Sequence, residues 1–163
     1  MMIETERLIL RLLKESDYNN IDYYLNEKIQ KFASPYMPHK KEDLKNHIMK
    51  IIGEASFAVM LKDGTFIGDV VITSIKPNET GEIAYYFNPS YWKNGYAFEA
   101  CKAVINFGFE HLKLKSVTAQ IDELNTNSRK LVERLGFKLE SLQKNIELHG
   151  RITNKCDYIL KKD

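Results

Sequence analysis

Apolar residues change their spacing several times along the chain, and each change marks an element. Leu8, Leu10 and Leu12 alternate with their neighbours, the two-residue period of a half-buried strand. From Ser16, a residue type suited to an N-cap, the spacing widens to Tyr18, Ile21, Tyr24 and Leu25, which predicts a helix. Pro35 and Pro38 then force the stretch ASPYMPHKK into a loop. Leu44, Ile48, Ile51 and Ile52 return to helical spacing, and Gly53 ends that helix. The next stretch, SFAVMLKDGTFIGDVVITSI, is β-branched and aromatic, with Asp63-Gly64 supplying the positive φ of a hairpin turn. A third run, GEIAYYFNP, follows the polar turn KPNETG and stops at Pro89, which completes an antiparallel meander.

Beyond Gly95 the period becomes helical again. Ala97, Ala100, Cys101, Val104, Phe107 and Gly108 fall on one face of the longest helical pattern in the chain. Small residues in its first turn let its backbone come close to a neighbour. Val117, Ala119 and Ile121 then alternate as a strand, so strand, helix and strand predict a parallel pair with a right-handed crossover. In NTNSRKLVERLGF, Leu131, Val132 and Leu135 make a short amphipathic helix capped by Asn125 or Asn127 and ended by Gly136. Two last strand-like runs around His149-Gly150 predict a terminal hairpin. The Gly95 loop thus lies at the carboxyl end of a strand, where open α/β sheets bind ligands. The free N–H groups and aligned dipoles of the helix start suit an anion, with phosphate the usual occupant. Taken alone, one glycine before a helix is more often a plain turn.

Length and composition narrow the classes. The 163 residues are enough for one domain, 1–163, with a core that needs neither metal nor disulfide. A net charge of +2 gives no electrostatic footprint for nucleic acid. Cys101 and Cys156 belong to no CxxC or Cys/His cluster and are expected as buried thiols. The N-terminus lacks a signal-peptide layout and no apolar run reaches membrane-spanning length, so the expected location is cytoplasmic. Neither GxGxxG nor GxxxxGK[ST] follows the first strand, which argues against a dinucleotide or P-loop domain.

Three segments in order, ETERLILRLL, EIAYYFNPSYWKNGYAFEA and NTNSRKLVERLGF, resemble the GCN5-related N-acetyltransferase family, and within it the ribosomal-protein N-terminal acetyltransferases. The likeness spans essentially the whole chain. It implies an α/β (α+β) fold with a mixed, mostly antiparallel sheet of six to seven strands, flanked by helices and splayed between its central parallel strands. Trp92 stands where the broad family has Arg or Gln three residues before the loop glycine, as is common in the narrower branch; Ala97 replaces the second glycine, and Ala84 a glycine of many relatives.

The resemblance further implies acetyl-CoA as co-substrate, without metal, in a wedge between the strand Glu82 to Phe87 and the strand Ser116 to Asp122. Its pyrophosphate is expected on the backbone of Trp92, Lys93, Asn94, Gly95, Tyr96 and Ala97, its pantetheine arm on the first strand's edge and Asn125. A backbone N–H around Tyr86 or Phe87 is expected to stabilise the oxyanion. Acetyl transfer needs a neutral amine, and α-amino groups titrate near 8 and lysines near 10.4, so a base helps at neutral pH. Glu82 is the first candidate, with Asp122 and Glu123 in reserve. Ser128, the serine of Asn-x-x-Ser, is the expected proton donor to the leaving thiolate. None of the four histidines falls in a motif. The expected acceptor is a primary amine, first a protein N-terminal α-amino group, with polyamines, amino acid analogues and aminoglycosides as alternatives. A non-catalytic acetyl-CoA sensor is the other reading. The acceptor pocket is expected from the Pro35 loop and the terminal hairpin. No nucleic acid or membrane partner is expected, and the protein is expected as a monomer or homodimer.

Overall fold

The computed structural model describes residues 1–163. Eight strands form one sheet: β1 (Met2–Glu4), β2 (Leu8–Leu12), β3 (Ser56–Leu61), β4 (Phe66–Lys76), β5 (Thr80–Phe87), β6 (Ser116–Asp122), β7 (Lys138–Leu148) and β8 (Arg151–Lys161). Their order is β1-β2-β3-β4-β5-β6-β8-β7. Every neighbouring pair is antiparallel except β5 and β6. The expected six to seven strands become eight because Met2–Glu4, too short to show a period, pairs with β2 at the sheet's edge. The helices are α1 (Glu27–Gln30), α2 (Leu44–Ile51), α3 (Tyr96–Glu110) and α4 (Thr126–Arg134).

Alternation along the strands builds two cores. Val70 and Ile72 of β4, with Ile83 and Phe87 of β5, pack against Ala100, Cys101, Val104 and Phe107 of α3. Val71 and Ala58 point to the other face and meet Ile21, Tyr24, Leu44 and Ile48. Cys101 and Cys156 lie in the first core as free, buried thiols.

The helix expected from Ser16 is instead two 3-10 turns, Glu15–Asn20 and Asp22–Leu25, followed by the single turn of α1. Asp17 is the reason. Its buried carboxylate accepts the Lys14 N–H at 2.9 Å and both terminal nitrogens of Arg11 at 2.8 Å, so the chain is tightened around it and Ser16 caps nothing.

A second carboxylate, Asp69 of β4, is wholly buried and accepts from the phenols of Tyr23 and Tyr24, the latter at 2.7 Å. The His47 ring meets Tyr24 edge-on and the Tyr86 ring meets it tilted, both at 5.2 Å between centres, and Tyr86 also feels the Asp69 charge. Burial pushes the Asp69 pKa up to about 7, against the opposing effect of the two phenols. A free aspartate titrates near 3.9, so between about pH 4 and 7 the native state holds a proton that the unfolded chain has released. The resulting stability is fully present below the unfolded value and is lost as pH rises through 7. Thermal unfolding followed by circular dichroism between pH 5 and 8 should show a falling Tm, with a flatter profile in Asp69→Asn; equal slopes would remove Asp69 as the source. In the neighbouring position, a Cβ on Gly68 would overlap the Phe87 ring. Gly68→Ala should therefore cost about 1–3 kcal/mol in urea unfolding, as overpacked sites do, and an unchanged midpoint would show that Phe87 moves freely.

Candidate active site

Bulges apart, the sheet's strand pairing breaks off only at its centre. β5 and β6 pair in parallel at Thr80–Ser116, Gly81–Val117 and Glu82–Thr118, and there the ladder stops. β5 runs on to Phe87 and β6 to Asp122, each held by its outer neighbour, β4 or β8, as far as Phe87 and Asp122. The strands therefore part into a wedge with Glu82 at its vertex.

Alternation of the backbone shows which groups line it. The Ile72 N–H bonds Ala55 and the Asn88 N–H bonds Ile67, so on β4 the even residues face β3 and on β5 the even residues face β4. The N–H groups of Tyr85 and Phe87 face the wedge. Tyr86, expected as an oxyanion donor, is instead turned to its β4 partner Asp69. The Phe87 carbonyl is already taken by the Trp92 indole N–H at 2.8 Å. What β5 offers across the wedge is a short open edge.

At the mouth stands the turn that enters α3. Asn88 caps it, accepting the Ser90 N–H at 3.0 Å. The Trp92 N–H is bonded to Pro89 within the turn and its side chain packs into both cores, so Trp92 braces the loop. The Asn94 amide ties back to the carbonyls of Tyr91 and Trp92, both at 3.1 Å. Lys93 and Gly95 take positive φ, 65° and 80°, and Gly95 is the N-cap. A glycine has no side chain to cap with, and the first helical bond recorded in this turn is the Glu99 N–H to Gly95 at 3.1 Å. The N–H groups of Gly95, Tyr96, Ala97 and Phe98 are the helix's orphan donors, at the positive end of its dipole. Lys93 itself is exposed, and Tyr96 and Ala97 are half-buried.

Arg7 fixes this loop in place. Its Nε and backbone N–H donate to Glu99 at 2.7 and 2.8 Å, Nη1 donates to the Asn94 carbonyl at 2.8 Å, and its guanidinium lies 4.6 Å from the centre of the Tyr96 ring.

Two polar groups meet across the other wall. Ser128 Oγ and Tyr85 Oη lie 2.5 Å apart, joining α4 to β5. Burial pushes the Tyr85 phenol well above its ordinary value, so it keeps its proton. Asn125 caps α4 by accepting the Ser128 N–H at 3.3 Å. Glu82 is half-buried, and desolvation raises its pKa, with Lys155 opposing and Asp157 assisting. The reserve carboxylates are already committed. Asp122 accepts from Arg151 at 2.7 Å, Thr153 at 3.0 Å and the Leu124 N–H at 2.9 Å, and Glu123 accepts from Asn154 at 2.7 Å.

The loop after α1 and the tip of the β7–β8 hairpin touch, with His149 Nε2 donating to the Ala33 carbonyl at 2.8 Å. No group of three or more His, Cys, Asp or Glu is arranged for a metal, and no helix is long and apolar enough to cross a membrane. Sequence reasoning missed Arg7 and Tyr85. Arg7 sits in the quoted N-terminal motif but touches the loop across 87 residues of chain, which no local pattern reveals. Tyr85 read as one more aromatic in a strand.

Comparison with known proteins agrees with this geometry. The acetyltransferase (GNAT) domain family matches residues 7–138. An uncharacterized N-acetyltransferase of Bacillus subtilis, YnaD, is 30% identical, with 88% of this chain and 86% of that protein covered. The crystal structure of a GNAT-family acetyltransferase from Bacillus anthracis superposes with a TM-score of 0.88 at 28% identity, covering 99% and 98% of the two chains. A Salmonella typhimurium acetyl transferase described as modifying the N-terminal serine of a 50S ribosomal subunit protein superposes at 0.87 with 19% identity, over the full length of both. A RimL ribosomal-protein α-N-acetyltransferase solved with coenzyme A superposes at 0.88 with 19% identity, covering 99% and 98%. With the split sheet, the loop and the long helix in this order, the chain belongs to the GNAT acetyltransferase family and is an N-acetyltransferase.

Proposed function

We propose that this chain, acting as one domain, transfers acetyl from acetyl-CoA to the N-terminal α-amino group of a protein by direct attack within a ternary complex. The observation that carries this reading is the parting of β5 from β6 at Glu82, with the uncapped start of α3 at the mouth. A linear thioester fits such a wedge. The amide N–H groups of Gly95 to Phe98 suit a pyrophosphate, and the open edge at Tyr85 and Phe87 suits the amides of a pantetheine arm, as an added strand pairs with a sheet edge. The acetyltransferases on ribosomal proteins that share this fold support the acceptor class.

Bound acetyl-CoA supplies an acyl group on a good leaving thiol; the chain supplies orientation, charge and protons. Glu82, with a raised pKa at the vertex, takes the proton of the attacking ammonium, directly or through water. The N–H of Phe87 or Tyr85 faces the charge that develops on the acetyl oxygen. As the new C–N bond forms and the C–S bond breaks, Ser128 passes a proton to sulfur while its oxygen stays hydrogen-bonded to the Tyr85 phenol, which keeps its own proton, and the proton shed by the new amide nitrogen restores Ser128 through solvent.

Turnover is read by trapping released thiol with a dye, on peptides with free N-termini beside polyamines and aminoglycosides. Glu82→Gln should lower kcat about 10²- to 10⁴-fold and abolish the acid limb of the pH–rate profile, as loss of a general base does. That limb rises as Glu82 loses its proton, so its midpoint lies above the ordinary glutamate range. An unaltered limb in the variant would exclude Glu82. Ser128→Ala and Tyr85→Phe should each slow turnover, and the double variant should be no slower than the worse single, because residues that act as a unit are not additive. Additive losses would separate the two roles. Acetyl-CoA binding with turnover of polyamines alone would replace the protein acceptor by a small one, and binding without any turnover would favour a sensor.

A further inference from the structure

Nη1 of Arg151 is a buried side-chain nitrogen with no hydrogen-bond partner, and no other buried side-chain nitrogen or oxygen is left in that condition. A buried donor without an acceptor is costly, so such a group is retained where something outside the folded chain satisfies it. The guanidinium is not free to turn away. Its Nη2 is held at 2.7 Å by Asp122, whose side chain is 3% exposed and is itself fixed by Thr153 and the Leu124 N–H. Arg151 stands at the tip of the terminal hairpin, and the Phe32 ring, from the loop that His149 ties to that tip, lies 5.7 Å from its guanidinium carbon. The Arg151 side chain as a whole is 30% exposed while Nη1 itself is covered, so a ligand reaches it where a neighbouring side chain shifts.

Asp122 ends β6 on the strand face that also carries Thr118, the partner of Glu82. Arg151 therefore overlooks the mouth of the wedge from the same side as Glu82, about 13 Å along the strand from the vertex at ~3.3 Å per residue. That is about four residues of an extended peptide. The occupant's chemistry follows from the pair. Asp122 already balances the arginine's charge, so the remaining N–H suits a neutral carbonyl oxygen, and a polyamine carries no acceptor for it.

We propose that Arg151 is a specificity-determining residue whose free Nη1 binds a backbone carbonyl among the first residues of a peptide acceptor, held in place by Asp122. The proposal rests on the peptide N-terminus as acceptor. Arg151→Lys keeps a cation for Asp122 and removes the second arm of the fork. The kcat/KM of a pentapeptide amide is compared with that of a simple alkylamine, in the parent and in the variant, with thermal unfolding recorded for both. The peptide-to-amine ratio should fall about 10- to 100-fold in the variant, carried by KM, the range expected for one hydrogen bond to a charged group. In the unaltered protein, reducing one backbone carbonyl at a time to methylene should reproduce that loss at one position. A ratio that stays the same in a folded variant, or a peptide series with no sensitive carbonyl, would overturn the role of Arg151 while leaving the peptide acceptor intact. A parent that acetylates polyamines and no peptide would overturn both.

Discussion

The structure depends on a failure of strand pairing. From Glu82 to Phe87 and from Ser116 to Asp122 each central strand is laddered on its outer side, so β4 fixes β5 and β8 fixes β6, and the two halves of the sheet diverge once their three parallel pairs are made. Exposed backbone donors inside a sheet are unfavourable, and most proteins close such gaps. Here the gap is bridged on one wall by the Tyr85–Ser128 bond and braced at the mouth by the Trp92 bond to Phe87, so the edge stays open without collapsing.

The second half of the site follows from where that gap lies. Because β5 ends at Phe87 and the chain must cross to β6, it passes through a tight turn into α3 beside the opening. Gly95 allows the left-handed cap that a larger residue would strain, and it leaves the helix's first donors without a side-chain partner. Arg7 then locks the loop from a distant strand end, offsetting the charge of Glu99 and reaching the Asn94 carbonyl. Open strand edge, helix dipole and vertex carboxylate thus converge because of one topological step.

Much of this was legible in the sequence. The alternation of Leu8, Leu10 and Leu12, the Asp63-Gly64 hairpin, the small-residue face of α3 and the Asn125 cap are all local signals with local causes, and the structure carries them. The helix expected from Ser16 was not there, because Asp17 makes long-range ties to Arg11 that outweigh apolar spacing. Of the candidate site, the Gly95 loop was visible as a motif. The direction of each N–H on β5 was not, since it depends on register with β4. Nor was the commitment of Asp122 to Arg151, which needs the terminal hairpin folded against β6. A sequence names the carboxylates, and packing decides which of them is free.

The central claim is that the β5 edge and the start of α3 form one binding surface for acetyl-CoA. The most direct test is residue-resolved amide hydrogen exchange by NMR, with and without acetyl-CoA. The account predicts new protection at Tyr85 and Phe87 together with Gly95 to Phe98, while Tyr86, already bonded to β4, stays unchanged. Protection confined to the helix start, or absent from both, would contradict it.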